Sequence, residues 1–162
     1  MSDPITVDLS DTQTHLRLDR PALAGIVRRV LADAGITRAA ISLAVVDDAR
    51  IHEVNRRHLG HDWATDVITF RLSDPGAAEL EAELIVSAEM AAATARDAGT
   101  DPHAELALYV VHGLLHLCGY DDRSADSARV MRQAESDALA RLGLPNTFGT
   151  VGPAEEEPRC PA

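Results

Sequence analysis

Apolar and polar residues alternate at the start of the chain, in ITVDLSDTQTHLRLD, and this period-two pattern predicts one or two strand segments interrupted at Asp8 to Asp11. The period then changes. Leu23, Ile26, Val27, Val30 and Leu31 recur at helical spacing as far as Ala34 and Gly35, behind Asp19 as a cap and Pro21 in the first turn. Ala39 to Val46 is β-branched and lacks alternation, which predicts a buried strand. Asp47 or Asp48 caps a helix running to about Leu59. Thr65 to Phe70 is a second clear strand, followed by a loop with Ser73, Asp74, Pro75 and Gly76, and Glu83 to Ser87 is a third. The stretch AEMAAATARDAG is helical and ends at Gly99. Asp101 and Pro102 open the next helix and Gly119 closes it; its apolar residues run all the way round, which marks a central helix. A last helix spans about Ser124 to Leu142. Residues 145–162 show no periodicity and are expected to be a disordered acidic, Pro-rich tail behind one domain over residues 1–144.

Charge narrows the partners. A net charge of -11 and a pI near 4.9 oppose loose binding to any polyanion, so a nucleic-acid role needs a local basic site. The N-terminal MSDPITVDLSDTQ has neither a basic start nor an apolar block, and no apolar run reaches spanning length, so the expectation is a cytoplasmic, monomeric protein without membrane contact. Cys118 and Cys160 are too few for a disulfide framework and read as free thiols.

The chemistry is concentrated in YVVHGLLHLCGYDD, Tyr109 to Asp122. On a helix, residues four apart share a face, with Cβ atoms about 5–6 Å apart, so His112 and His116 can reach one metal ion. The alternative is a pair of core histidines, each bonded to the backbone. An apolar helix offers few such partners, and two buried imidazoles need several. A chain that turns at Gly119 can bring back a third ligand, with Asp121 and Asp122 as the candidates. Two histidines and a carboxylate leave a coordination position open, the arrangement of a catalytic site. The metalloprotease pattern H-E-x-x-H needs its glutamate directly after the first histidine, where this chain has Gly113.

HGLLHLCGYDD closely resembles the H-G-x-L-H-L-x-G-Y-D-H signature of the YbeY family of metal-dependent endoribonucleases. VNRRHLGHDWATDVITF resembles a second block of that family, an asparagine followed after a short spacer by Thr-Asp-Val-Leu-Ser-Phe, and AELIVSAEMA resembles a third, Gly-Asp-Ile-x-Ile-Ser. The resemblance covers roughly Ile41 to Leu142. It implies an α+β fold with a small mixed sheet and a central helix presenting the metal site, with which the strand and helix pattern of about four strands and five helices agrees. It also implies zinc as the usual ion, and single-stranded RNA as substrate in rRNA maturation and ribosome quality control, with ribosomal partners. Carried over, His112 and His116 match the first two metal ligands, and Asp122 stands where the signature has its third histidine.

Three departures stand out. A carboxylate at Asp122 makes the ion a weaker Lewis acid than three imidazoles would, and suits iron, manganese or nickel as well as zinc. The family's phosphate-holding arginine, six residues before Thr-Asp-Val, is replaced by Leu59; Arg56 and Arg57 are candidate substitutes, the alternative being solvated surface arginines, and Arg123 is another candidate phosphate contact. Glu83 and Ala82 replace the aspartate and glycine of the third block. Thr65 and Asp66 are candidate cleft residues, although a strand-end Thr-Asp is often only a cap. His52, His58, His61 and His103 read as surface residues and Trp63 as a packing residue rather than a base-stacking one. Two other functions compete with RNA hydrolysis: a metal-dependent hydrolase of another substrate, and a non-catalytic ribosome-associated factor with a structural metal.

Overall fold

The structure, a computed structural model, describes residues 4–147; the tail expected to be disordered, residues 145–162, lies outside that span from residue 148 onward. Five helices and a four-stranded mixed sheet make an α+β fold, in the order β1 (Ile5–Asp11), α1 (Arg20–Asp33), β2 (Ala39–Val46), α2 (Asp48–Leu59), β3 (Val67–Arg71), β4 (Leu80–Ser87), α3 (Ala88–Ala98), α4 (Pro102–Leu117) and α5 (Ala125–Leu142). Across the sheet the strands lie β1-β2-β4-β3; β1, β2 and β4 run parallel and β3 is antiparallel to β4.

The helix limits follow the capping chemistry. Asp19, Asp47 and Asp101 each accept a backbone N–H at the start of α1, α2 and α4, meeting one of the donors that a helix leaves unsatisfied. The strand limits differ more from expectation. β1 runs unbroken through Asp8 to Asp11, because Asp8 and Ser10 face the side of the sheet that water reaches while Val7 and Leu9 face inward. β4 starts at Leu80, since Leu80 and Ala82 continue the inward row and Glu81 and Glu83 the outward one. β3 begins at Val67, leaving Thr65 and Asp66 just before it, and extends to Arg71.

One face of the sheet carries the main core. Ile41, Leu43, Val45, Leu84 and Val86 are buried there together with the apolar sides of α1 and α4. The opposite face holds a smaller cluster under α2, with Val46, Ile51, Val54 and Ile68 buried and Leu59, Phe70 and Ile85 packed against it. α4 is buried on nearly every side and touches α1, α3, α5, β3 and β4. At about 1.5–3 kcal/mol per fully buried leucine, valine or isoleucine, its four most enclosed aliphatics, Leu106, Val110, Val111 and Leu114, contribute much of the core's hydrophobic stabilisation.

Gly113 sets the distance between α4 and the sheet. A Cβ at this position would stand 2.9 Å from Val67 Cγ2, 3.1 Å from Leu84 Cδ2 and 3.2 Å from Thr69 Cγ2. The helix backbone therefore packs directly on the side chains of β3 and β4, with none of its own between at this position. Gly113→Ala is expected to destabilise the protein by roughly 1–3 kcal/mol through overpacking. Urea unfolding measures this, and an unchanged midpoint would show that the contact yields easily.

Candidate metal centre

While Gly113 lies against the sheet, His112 and His116 meet α5 and the turn that follows α4. Their side chains are 3% and 6% exposed, so each ring nitrogen needs a partner inside the protein. His112 Nδ1 meets Oε1 of Glu135, a buried residue of α5. His116 Nδ1 lies 3.1 Å from the carbonyl oxygen of Tyr120. A carbonyl oxygen can only accept, so His116 Nδ1 carries the hydrogen and Nε2 keeps its lone pair. An ionised Glu135 makes the same assignment at His112.

Both lone pairs then converge. The two Nε2 atoms are 2.9 Å apart, a distance at which unprotonated nitrogens repel unless a cation or a proton lies between them. Asp122 closes the group, with Oδ2 3.6 Å from His112 Nε2 and Oδ1 3.9 Å from His116 Nε2. One ligand atom from each of the three residues falls within 4.8 Å of the others. Two imidazole nitrogens and a carboxylate oxygen, with the nitrogens held by acceptors behind them, suit a divalent transition metal with a coordination position left open.

The turn delivers the aspartate. Gly119 has φ +102°, a conformation that side chains rarely adopt, and its N–H bonds the His116 carbonyl while that of Tyr120 bonds Leu115. Of the two candidate aspartates, Asp121 points outward. Its Oδ1 accepts the Arg123 N–H at 3.0 Å, and that bond, aided by the Ser127 hydroxyl, holds the carboxyl below its usual range. Asp122 is left facing the histidines, and Ser124 starts α5 with a capping box completed by Ser127.

The other candidates are more dispersed. Arg56 and Arg57 are exposed on α2, and Arg57 pairs with Glu53 one turn away on the same helix at 3.0 Å. Leu59 packs into the smaller cluster, so the position where the resemblance expects an arginine serves as core. Arg123 is exposed beside Asp122. Thr65 is buried and its hydroxyl donates to Asp66 Oδ1 at 3.3 Å; the same oxygen accepts the Val67 N–H at 2.9 Å, a cap at the entrance to β3. Asp66 is also close enough to Tyr109 of α4 for its charge, after burial and together with Glu105, to help hold the phenol above its usual range. Cys118 contributes no atom to the ligand group, and burial pushes its thiol up.

Glu135 is the functional residue that the sequence reading missed. Its signal was a periodic one: Met131, Glu135, Ala138 and Leu139 form one buried stripe of α5, with a carboxylate where an apolar residue is expected. The position that a metalloprotease fills with its base is Gly113, and it looks onto Val67, Leu84 and Thr69 rather than into the site.

The sequence profile of the family described as "Endoribonuclease YbeY" matches residues 8–143. A protein of that name from Rhodopirellula baltica is 39% identical over 141 residues, which cover 85% of this chain and 71% of that protein. Another, from Desulfitobacterium hafniense, is 39% identical over 129 residues, covering 74% of this chain and 82% of the relative. The solution structure of a Thermotoga maritima protein superposes with a TM-score of 0.57 at 21% identity, over 85% of this chain and 92% of that one, a likeness of fold.

If Glu135 holds the His112 ring, Glu135→Ala should weaken binding of a divalent ion about 10- to 100-fold. Competition against a chromophoric chelator measures this, and wild-type affinity in the variant would remove Glu135 from the site.

Proposed function

This chain belongs to the endoribonuclease YbeY family, and from that premise we propose that it is a metal-dependent endoribonuclease that cleaves single-stranded RNA in rRNA maturation and ribosome quality control. The carrying observation is the convergence of His112 Nε2, His116 Nε2 and an Asp122 carboxylate oxygen within 4.8 Å at the end of a buried helix. These three are the proposed ligands, and zinc is the proposed ion. When bound, such an ion polarises a phosphoryl oxygen or lowers the pKa of a water.

The chain's own residues do the rest. Glu135 and the Tyr120 carbonyl fix both rings, so that no reorganisation is needed when substrate arrives. Asp122 adds negative charge, which makes this centre a weaker Lewis acid than one with a third histidine. Arg56, Arg57 and Arg123 are the proposed phosphate contacts from the sequence, and Thr65 and Asp66 the proposed substrate-side residues. The ion pair to Glu53 makes Arg57 the less available of the α2 arginines. No helix among the described residues is long and apolar enough to cross a membrane. The proposed setting is the cytoplasm, with the chain as a monomer and the ribosome as partner.

Protein expressed without a histidine tag is expected to carry about one divalent ion per chain and to cleave single-stranded RNA. His116→Ala should lose the ion and reduce cleavage to background. Chelation should abolish cleavage while circular dichroism stays folded; unfolding on chelation would instead indicate a structural metal. Metal retained with no RNA cleavage above the His116→Ala level would favour another hydrolase substrate. Separately, Arg57→Ala and Arg123→Ala report on the phosphate contacts, and an unchanged rate for either excludes an essential role for that residue.

A further inference from the structure

We propose that Arg71, at the end of β3, is a backbone-phosphate contact for the RNA that this site cleaves. The inference rests on the endoribonuclease reading and adds a residue to it.

The strand places the side chain. Val67 and Thr69 face α4, where they crowd Gly113, and Arg71 continues that inward row by the two-residue period of a strand. Its Nη2 donates to the carbonyl oxygen of Leu117 at 3.2 Å. Leu117 directly follows His116, so the guanidinium is fixed at the end of the helix that carries the histidines, beside the turn leading to Asp122. Arg71 is nonetheless exposed.

Its donors are not used up. An arginine has five N–H donors, and the bond to Leu117 is the one recorded for Arg71 among the described residues. No carboxylate lies within ion-pair distance of it among those residues, whereas Arg29, Arg50, Arg57 and Arg129 are each paired to an acid one turn away on their own helix. The Leu117 carbonyl at the end of α4 holds the guanidinium through one N–H, and the helix dipole there favours its charge. The free edge has the fork geometry that binds phosphate. On a chain of net charge -11, a cation anchored at the end of the helix that carries the histidines can steer where the strand lies.

The alternative is that Arg71 only ties β3 to α4. Arg71→Gln separates the two roles, because a glutamine amide can still donate to the Leu117 carbonyl but carries no charge, and Arg71→Lys keeps the charge. The metal-loaded full chain is titrated with a slowly cleaved, phosphorothioate-substituted single-stranded RNA at several salt concentrations, alongside thermal unfolding. Arg71→Gln is expected to bind about tenfold more weakly, with the slope of log affinity against log salt reduced by about 0.7, the value of one single-strand phosphate contact, and with an unchanged melting temperature. Arg71→Lys should keep the slope. A wild-type slope in Arg71→Gln, with or without lost stability, overturns the proposal, and so does absence of RNA binding by the wild type. If the wild type binds RNA with the Arg71-dependent slope but cleaves none, the endoribonuclease reading fails and the phosphate contact stands.

Discussion

The contact of α4 with the sheet at Gly113 is the constraint on which the site depends. A helix can lie this close to two strands only where a residue has no side chain, and the close fit fixes the helix about its own axis as well as its distance. With the helix held in this rotation, His112 and His116 reach α5 and the turn. The histidine pair is thus aimed by a residue that contributes no polar atom. The same packing makes α4 one of the least movable elements, and catalytic groups are best carried on such elements.

Two nearly enclosed imidazoles would be costly without their acceptors. Glu135 from α5 and the Tyr120 carbonyl from the turn meet that need, and in doing so they select which nitrogen of each ring is left to bind. The arrangement differs from the surrounding electrostatics. At physiological salt the field of the acidic surface is screened over about 8 Å, so a few local guanidinium groups can outweigh a distant excess of carboxylates. Net charge therefore affects the rate at which RNA approaches more than whether it binds.

Much of this was legible in the sequence, for identifiable reasons. Helix limits were clear because caps are local: Asp19, Asp101 and Gly119 act within a turn of themselves. Strand limits were less so. Asp8 read as a break and the third strand was begun at Glu83 instead of Leu80, although Asp8 and Glu81 are the outward half of an alternation, and which face of a sheet is covered is decided by distant segments such as α2. His112, His116 and Asp122 fall within eleven residues and were read as a group. Glu135 and Arg71 were missed because their meaning depends on contacts 23 and 46 residues away along the chain. A buried carboxylate in an apolar stripe was visible in principle; an arginine bound to a helix end was not.

Asp122 occupies a different kind of position from the two histidines. It belongs to a short connector between a left-handed glycine and a serine cap, partly open to water, and it packs into neither hydrophobic cluster. The two histidines are enclosed, and replacing the His112 imidazole would disturb Glu135 and the packing around it. Asp122 sits in neither cluster, so its replacement leaves the core packing untouched. The donor set of this candidate centre is therefore open to change at a single residue, with little demand on the scaffold that holds it.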